Sequence, residues 1–173
     1  KIKPILLGFF SCFAHYDILT ISMKTRSIEA HAHRLVVPYC RISLALLYIW
    51  FGLLKAIGAS PAETLVHSLF NKTIHFMSFE TFYVLFAVFE IIIGLLFLIP
   101  KATKLALTLF ALHVLMTLMP LALLPAMSWS GILIPSLTGQ YIIKNISLIG
   151  CALVIAAYGF PASRFKEILA KLF

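Results

Sequence analysis

The sequence predicts an all-α, polytopic membrane protein: a four-transmembrane-helix bundle with a short interfacial helix between spans 1 and 2. Three observations carry that reading. Of the 173 residues, 62% are hydrophobic and 12% charged, with a mean hydropathy of +1.04; a soluble domain holds about 25% charged and 45–50% apolar residues. Four apolar stretches run long enough to cross a bilayer, each broken by only one or two polar residues. The basic residues gather at the ends of those stretches, where topology and anionic headgroups explain them.

The chain divides into an N-terminal extension (1–34), a transmembrane domain (35–160) and a basic amphipathic tail (161–173). In the extension, Lys1-Ile-Lys3 and the apolar run Pro4 to Ala14 have the shape of a signal peptide. His15, Tyr16 and Asp17 interrupt that run too early for a span, so the segment reads as interfacial or signal-like, and Met23-Lys-Thr-Arg26 looks like a natural start.

Span 1 is expected from Val36 to about Ile57. Its apolar part, Ile42 to Leu54, is short, so Arg41 and Lys55 are expected to snorkel at its two ends. Gly58-Ala-Ser-Pro61 ends it. From Ala62 to Ser78, Leu65, Val66, Leu69, Phe70 and Ile74 recur near helical spacing, with Glu63, His67, Asn71, Lys72 and His75 between them, as in a helix lying in the interface. Span 2 covers about Phe79 to Ile99. Span 3 covers about Leu105 to Leu124, with Pro120 and Pro125 near its end. A polar break at Ser128-Trp-Ser-Gly131 holds an interfacial tryptophan, and span 4 runs from Gly139 to near Tyr158. Ser163 to Phe173 suits a headgroup layer.

Lys24, Arg26, Arg34, Arg41, Lys101, Lys104, Arg164, Lys166 and Lys171 fall on one side of this arrangement, against Lys55, Lys72 and Lys144 on the other. That bias makes both termini cytoplasmic. The expected location is the bacterial cytoplasmic (inner) membrane, with the lipid bilayer as the first partner.

Glu90 is the residue that asks for an explanation. A carboxylate at mid-membrane depth costs about 2.5–3.5 kcal/mol on insertion scales, so it needs a partner or a task. Span 2 running inward and span 3 running outward bring Glu90 and His113 to similar depth, with Thr117 one turn further along. The pair could relay a proton or hydrogen-bond a quinone; equally, it could be a structural hydrogen bond that specifies helix contacts. Lys55, Lys144 and Asn145 form a second set, able to contact an anion or a substrate, or simply to snorkel. Arg41 is read as an anchor on phosphates at the cytoplasmic end.

Cys12, Cys40 and Cys151 make no C-x-x-C or metal-ligand spacing and read as small hydrophobes, which argues against dithiol–quinone exchange. No zinc-site, nucleophile-elbow, phosphate-loop or paired haem-ligand pattern is present, and His31-Ala-His33 is too loosely placed to hold a metal. Despite the net charge of +8, no basic stripe with interleaved aromatics remains outside the spans, which excludes nucleic acid as the expected partner.

Arg41-Ile-Ser-Leu-Ala-Leu-Leu-Tyr-Ile-Trp-Phe-Gly52-Leu-Leu-Lys55, then Glu90 with Gly94, resembles the DoxX-like family of small four-helix membrane proteins. Gly139-Gln-Tyr-Ile-Ile-Lys144-Asn145-Ile-Ser-Leu-Ile-Gly150 is similar to that family's basic-residue-plus-Asp motif, with Asn145 in place of the acid. The resemblance covers about residues 37–157. It implies quinone-linked redox or oxidative-stress work, since relatives include the membrane subunit of a thiosulfate:quinone oxidoreductase. Two roles follow as expectations. One is an accessory or anchoring subunit, associated with a redox enzyme subunit or with copies of itself. The other is a membrane subunit reducing quinone at a buried Glu/His site. Quinone is the candidate cofactor, none is expected to be bound covalently, and the residues leave open whether the chain is an enzyme.

Overall fold

The computed structural model describes residues 32–159. Nearly all of the N-terminal extension, the basic tail (161–173), Cys12 and, Arg34 excepted, the basic residues flanking the transmembrane domain in those two segments lie outside the described residues.

Among the described residues, four helices are long and apolar enough to cross a membrane: Arg34–Ala56, Phe79–Leu98, Pro100–Leu123 and Leu137–Tyr158. In detail, a π-helical turn (Ala32–Val36) leads into α1 (Val37–Ala56), where Pro38 occupies the tolerated first turn. α2 (Glu63–Thr73) is a separate short helix. α3 (Phe79–Leu98) starts at Ser78, whose Oγ accepts from the Thr81 amide, and a 3-10 turn (Pro100–Ala102) passes the chain to α4 (Thr103–Leu118).

The third span is not one continuous helix. Pro120 has no amide to donate, and the Met119 amide bonds the Met116 carbonyl in a tighter turn, so α4 stops and α5 (Pro120–Leu123) and α6 (Pro125–Ser128) follow. The fourth span breaks similarly at Lys144, where the Ser147 amide donates to the Lys144 carbonyl, separating α7 (Leu137–Ile143) from α8 (Asn145–Gly159).

One expectation of the all-α reading fails between spans 3 and 4. Trp129–Gly131 (β1) and Ile134–Pro135 (β2) pair antiparallel, and Leu133 turns the chain with φ 57°. The segment is too short for any period-2 pattern to register in the sequence.

α1 packs most extensively against α3, and also meets α8; α3 touches α4, and α4 touches α8. The α1–α3 contact is antiparallel and reciprocal. A Cβ on Gly52 would lie 2.9 Å from the Ala87 carbonyl, and one on Gly94 would lie 3.0 Å from the Ala45 carbonyl. Ala45 and Ala87 are themselves fully enclosed. Small residues at these crossings let two backbones approach as membrane helices do.

Leu44, Ile93, Phe97, Phe110 and Ile155 fill the centre. Exposure runs opposite to that of a water-soluble protein: Arg41, Lys55, Glu90, Thr103 and His113 are buried, while Leu46, Trp50, Leu85, Leu115 and Leu153 face outward. An apolar exterior around a charged interior fits lipid as the surrounding solvent.

Candidate functional site

The antiparallel α1–α3 contact carries Lys55, near the end of α1, to the middle of α3. Its Nζ donates to Glu90 Oε2 at 2.7 Å. The other carboxylate oxygen, Oε1, lies 2.9 Å from His113 Nε2 on α4. The opposite ring nitrogen, Nδ1, stands 3.0 Å from the Tyr48 hydroxyl on α1. The four side chains therefore form one chain of contacts, Lys55–Glu90–His113–Tyr48, joining the first three spans.

Proton placement follows from the partners. With Glu90 as a carboxylate, both oxygens only accept, so His113 Nε2 carries the hydrogen and Nδ1 accepts from the Tyr48 hydroxyl. Both histidine nitrogens and both carboxylate oxygens are thereby used. Aromatic rings enclose the network: Phe86 stacks on His113 with centroids 5.3 Å apart, Tyr48 meets the imidazole edge-on at 5.0 Å, and Lys55 Nζ lies 5.4 Å from the Phe86 centroid. In so dry a setting the ion pair is unscreened, and losing one partner leaves the other buried and uncompensated.

The structure thus brings Glu90 and His113 together and adds Lys55, which the sequence reading sets apart with Lys144. Lys55 does not snorkel; the carboxylate, its strongest available acceptor, lies inward. Thr117 does not join this network. Its hydroxyl donates to the Val114 carbonyl and accepts from Asn145 Nδ2 at 3.3 Å, tying α4 to the start of α8. Lys144 neither meets Lys55 nor reaches Glu90: its ammonium lies over the rings of Tyr141 and Phe51, with centroids at 4.5 and 5.5 Å.

Arg41 also departs from expectation. Instead of reaching phosphates, it is buried, with Nη1 donating to the Phe97 carbonyl at 3.2 Å and Nη2 to Thr103 Oγ1. The cause is local: the last carbonyls of α3 lack intrahelical donors and sit at the negative end of the helix dipole. Thr103 in turn donates to the Pro100 carbonyl, so the arginine fastens α1 to the α3–α4 connection.

The cysteines are closer than their spacing suggests. Cys151 packs against the core cluster that contains Cys40, across the α1–α8 contact.

Tyr48 and Tyr83 escape the sequence reading. Tyr48 completes the network, and the Tyr83 hydroxyl is buried without a hydrogen-bond partner among the described residues. A signal existed in the heptad spacing: Arg41, Tyr48 and Lys55 recur on one stripe of α1, and Tyr83, Glu90 and Phe97 on one stripe of α3.

No protein-family model, curated protein or solved structure matches the chain.

Proposed function

We propose that the protein is a non-catalytic membrane subunit that anchors or assembles a quinone-linked redox or oxidative-stress enzyme, as its DoxX-like resemblance implies. The observation supporting an accessory role is the saturation of the buried network. Every polar atom of Glu90 and His113 already has a protein partner, so a quinone would add to a network that is complete without it rather than fill a vacancy in it. Such a network suits a brace that fixes the relative placement of three spans.

The finer architecture belongs to the same reading: a four-helix bundle in a bacterial inner membrane, both termini cytoplasmic, with α2 in the interface. α2 is suited to that place because it is held from one side, by Phe70 against Phe79 and Phe82 and by Lys72 donating to the Leu123 carbonyl, while His67 and Asn71 stay exposed.

Direct quinone chemistry is the second reading. The buried hydroxyl of Tyr83 favours it: two turns from Glu90 on the same stripe of α3 and near the Ser60 side chain, it makes no hydrogen bond of ordinary geometry that a polar ligand atom or a water would have to displace. Purification in mild detergent separates the two. The accessory role predicts stably associated subunits and no quinone that depends on Glu90. Co-isolated quinone in the parent that disappears in Glu90→Gln, with no associated subunit, would replace it with the catalytic role.

A further inference from the structure

The connection between α5 and α7 is knit together from within. Ser128 Oγ donates to the Pro120 carbonyl, Trp129 Nε1 to the Leu121 carbonyl, the Ser136 amide to the Ser128 carbonyl, and Ser136 Oγ to the Met127 carbonyl. On this framework the hairpin turn holds its apolar side chains away from the protein. Ile132 is 94% exposed and Leu133 84%, with Ile134 and Leu137 also exposed. Leu133 occupies the left-handed region, φ 57°, which a β-turn here requires but a leucine disfavours. Four apolar side chains on a hydrogen-bonded support are a contact surface lacking its contact.

Two observations say what covers it. From 105 to 143 there is no Asp, Glu, Lys or Arg, so the hairpin lacks the charged rim by which protein interfaces set register and exclude wrong partners. The other connection at this end of the molecule, between α1 and α3, also exposes apolar side chains on either side of α2: Ile57 is 72% exposed and Phe76 80%, although Glu63 and Lys72 are exposed on α2 itself. The connection at the opposite end carries Lys101 and Lys104 instead. Apolar side chains exposed at three separate points in the two connections of one end match a planar apolar layer rather than a single shaped partner.

We propose that the 129–137 hairpin is a lipid-seating element, inserting Ile132, Leu133, Ile134 and Leu137 into the headgroup–acyl boundary of the leaflet at that end. Trp129, half buried at its base, sits where an indole is favoured. Depths of about 5–10 Å below the headgroups are typical for elements of this kind. The proposal depends on the chain spanning a membrane and is independent of any redox role.

Tryptophan quenching in vesicles tests it. The full chain carries Trp50 and Trp129; Trp50→Phe serves as the reference, and Ile132→Trp in that background adds one indole at the tip. Both are reconstituted in phosphatidylcholine with or without bromine on the acyl chains. The emission added by residue 132 should fall about twofold in brominated lipid and resist aqueous iodide. Quenching by iodide without quenching by bromolipid places the tip in water and overturns the proposal. Shielding from both places it against protein, a second copy of the chain included, and overturns it as well. Leu137→Trp, at the start of α7, reads the same outcome should the first variant fail to fold.

Discussion

At the scale of single residues, Glu90 and Lys55 should behave as a pair. Lys55→Met leaves a carboxylate in an apolar interior with only His113 beside it, and Glu90→Leu leaves an ammonium with only aromatic faces. Each should cost about 3–5 kcal/mol of stability, whereas the double variant Lys55→Met/Glu90→Leu should recover most of the loss, since a well-filled apolar replacement is often neutral. Glu90→Gln keeps the shape and lets the amide oxygen accept from Lys55, with the amide nitrogen donating to His113 Nε2 once the imidazole hydrogen moves to Nδ1, so it should cost less than Glu90→Leu. Unfolding in detergent or bicelles, run as a double-mutant cycle, reads all four; additive losses would mean that the 2.7 Å contact is not a coupled one. Tyr48→Phe removes a single hydrogen bond to His113 and should cost roughly 0.6–2 kcal/mol by comparison with other interhelical bonds in membranes. The acidic half of this site was legible because a carboxylate in an apolar run has no innocent reading. The basic half was not. A lysine near the end of an apolar run looks the same whether it snorkels outward or turns inward, and only the antiparallel approach of α1 and α3 decides between them.

At the scale of elements, that approach depends on two positions without side chains. A Cβ at Gly52 would meet Ile91 Cγ1 at 2.7 Å, and one at Gly94 would meet Ile49 Cγ1 at 2.7 Å, each with a backbone carbonyl behind the movable methylene. The isoleucines can rotate, but the carbonyls cannot without moving a helix. Gly52→Ala and Gly94→Ala should therefore each cost about 1–3 kcal/mol, the range for overfilling a close contact. They should also weaken the Lys55–Glu90 bond by pushing the helices apart, so the coupling in the Lys55/Glu90 cycle should shrink in a Gly52→Ala background. Unchanged coupling would show that the salt bridge does not depend on this crossing. Hydropathy located all four spans because their length and apolarity are properties of the chain itself. It did not reveal the interruptions at Met119 and Lys144 or the hairpin at 129–135, since these follow from one missing amide, one tightened turn and a handful of side chain–backbone bonds.

At the scale of the whole molecule, the charges inside and the charges at the ends have separate tasks. Lys55, Glu90, His113 and Arg41 are used up in joining helices, so Lys55 and Arg41, counted at the start as topology signals, contribute little to headgroup attraction. Removing both from the comparison leaves eight basic residues on one side, Lys24, Arg26, Arg34, Lys101, Lys104, Arg164, Lys166 and Lys171, against Lys72 and Lys144 on the other. The bias does not depend on the two residues whose roles the structure changes. Lys101 and Gly131 are both exposed and lie in connections at opposite ends of the third span. In intact cells a membrane-impermeant maleimide should label Gly131→Cys and spare Lys101→Cys; after permeabilisation both should react, while Cys40, enclosed in the core, should not. Labelling of Lys101→Cys alone in intact cells would invert the orientation while leaving the helices and their internal network as they are. Labelling of both positions before permeabilisation would mean that the third span does not cross the membrane. Lys104 and Lys101 would then have lost the asymmetry that the positive-inside rule assigns them.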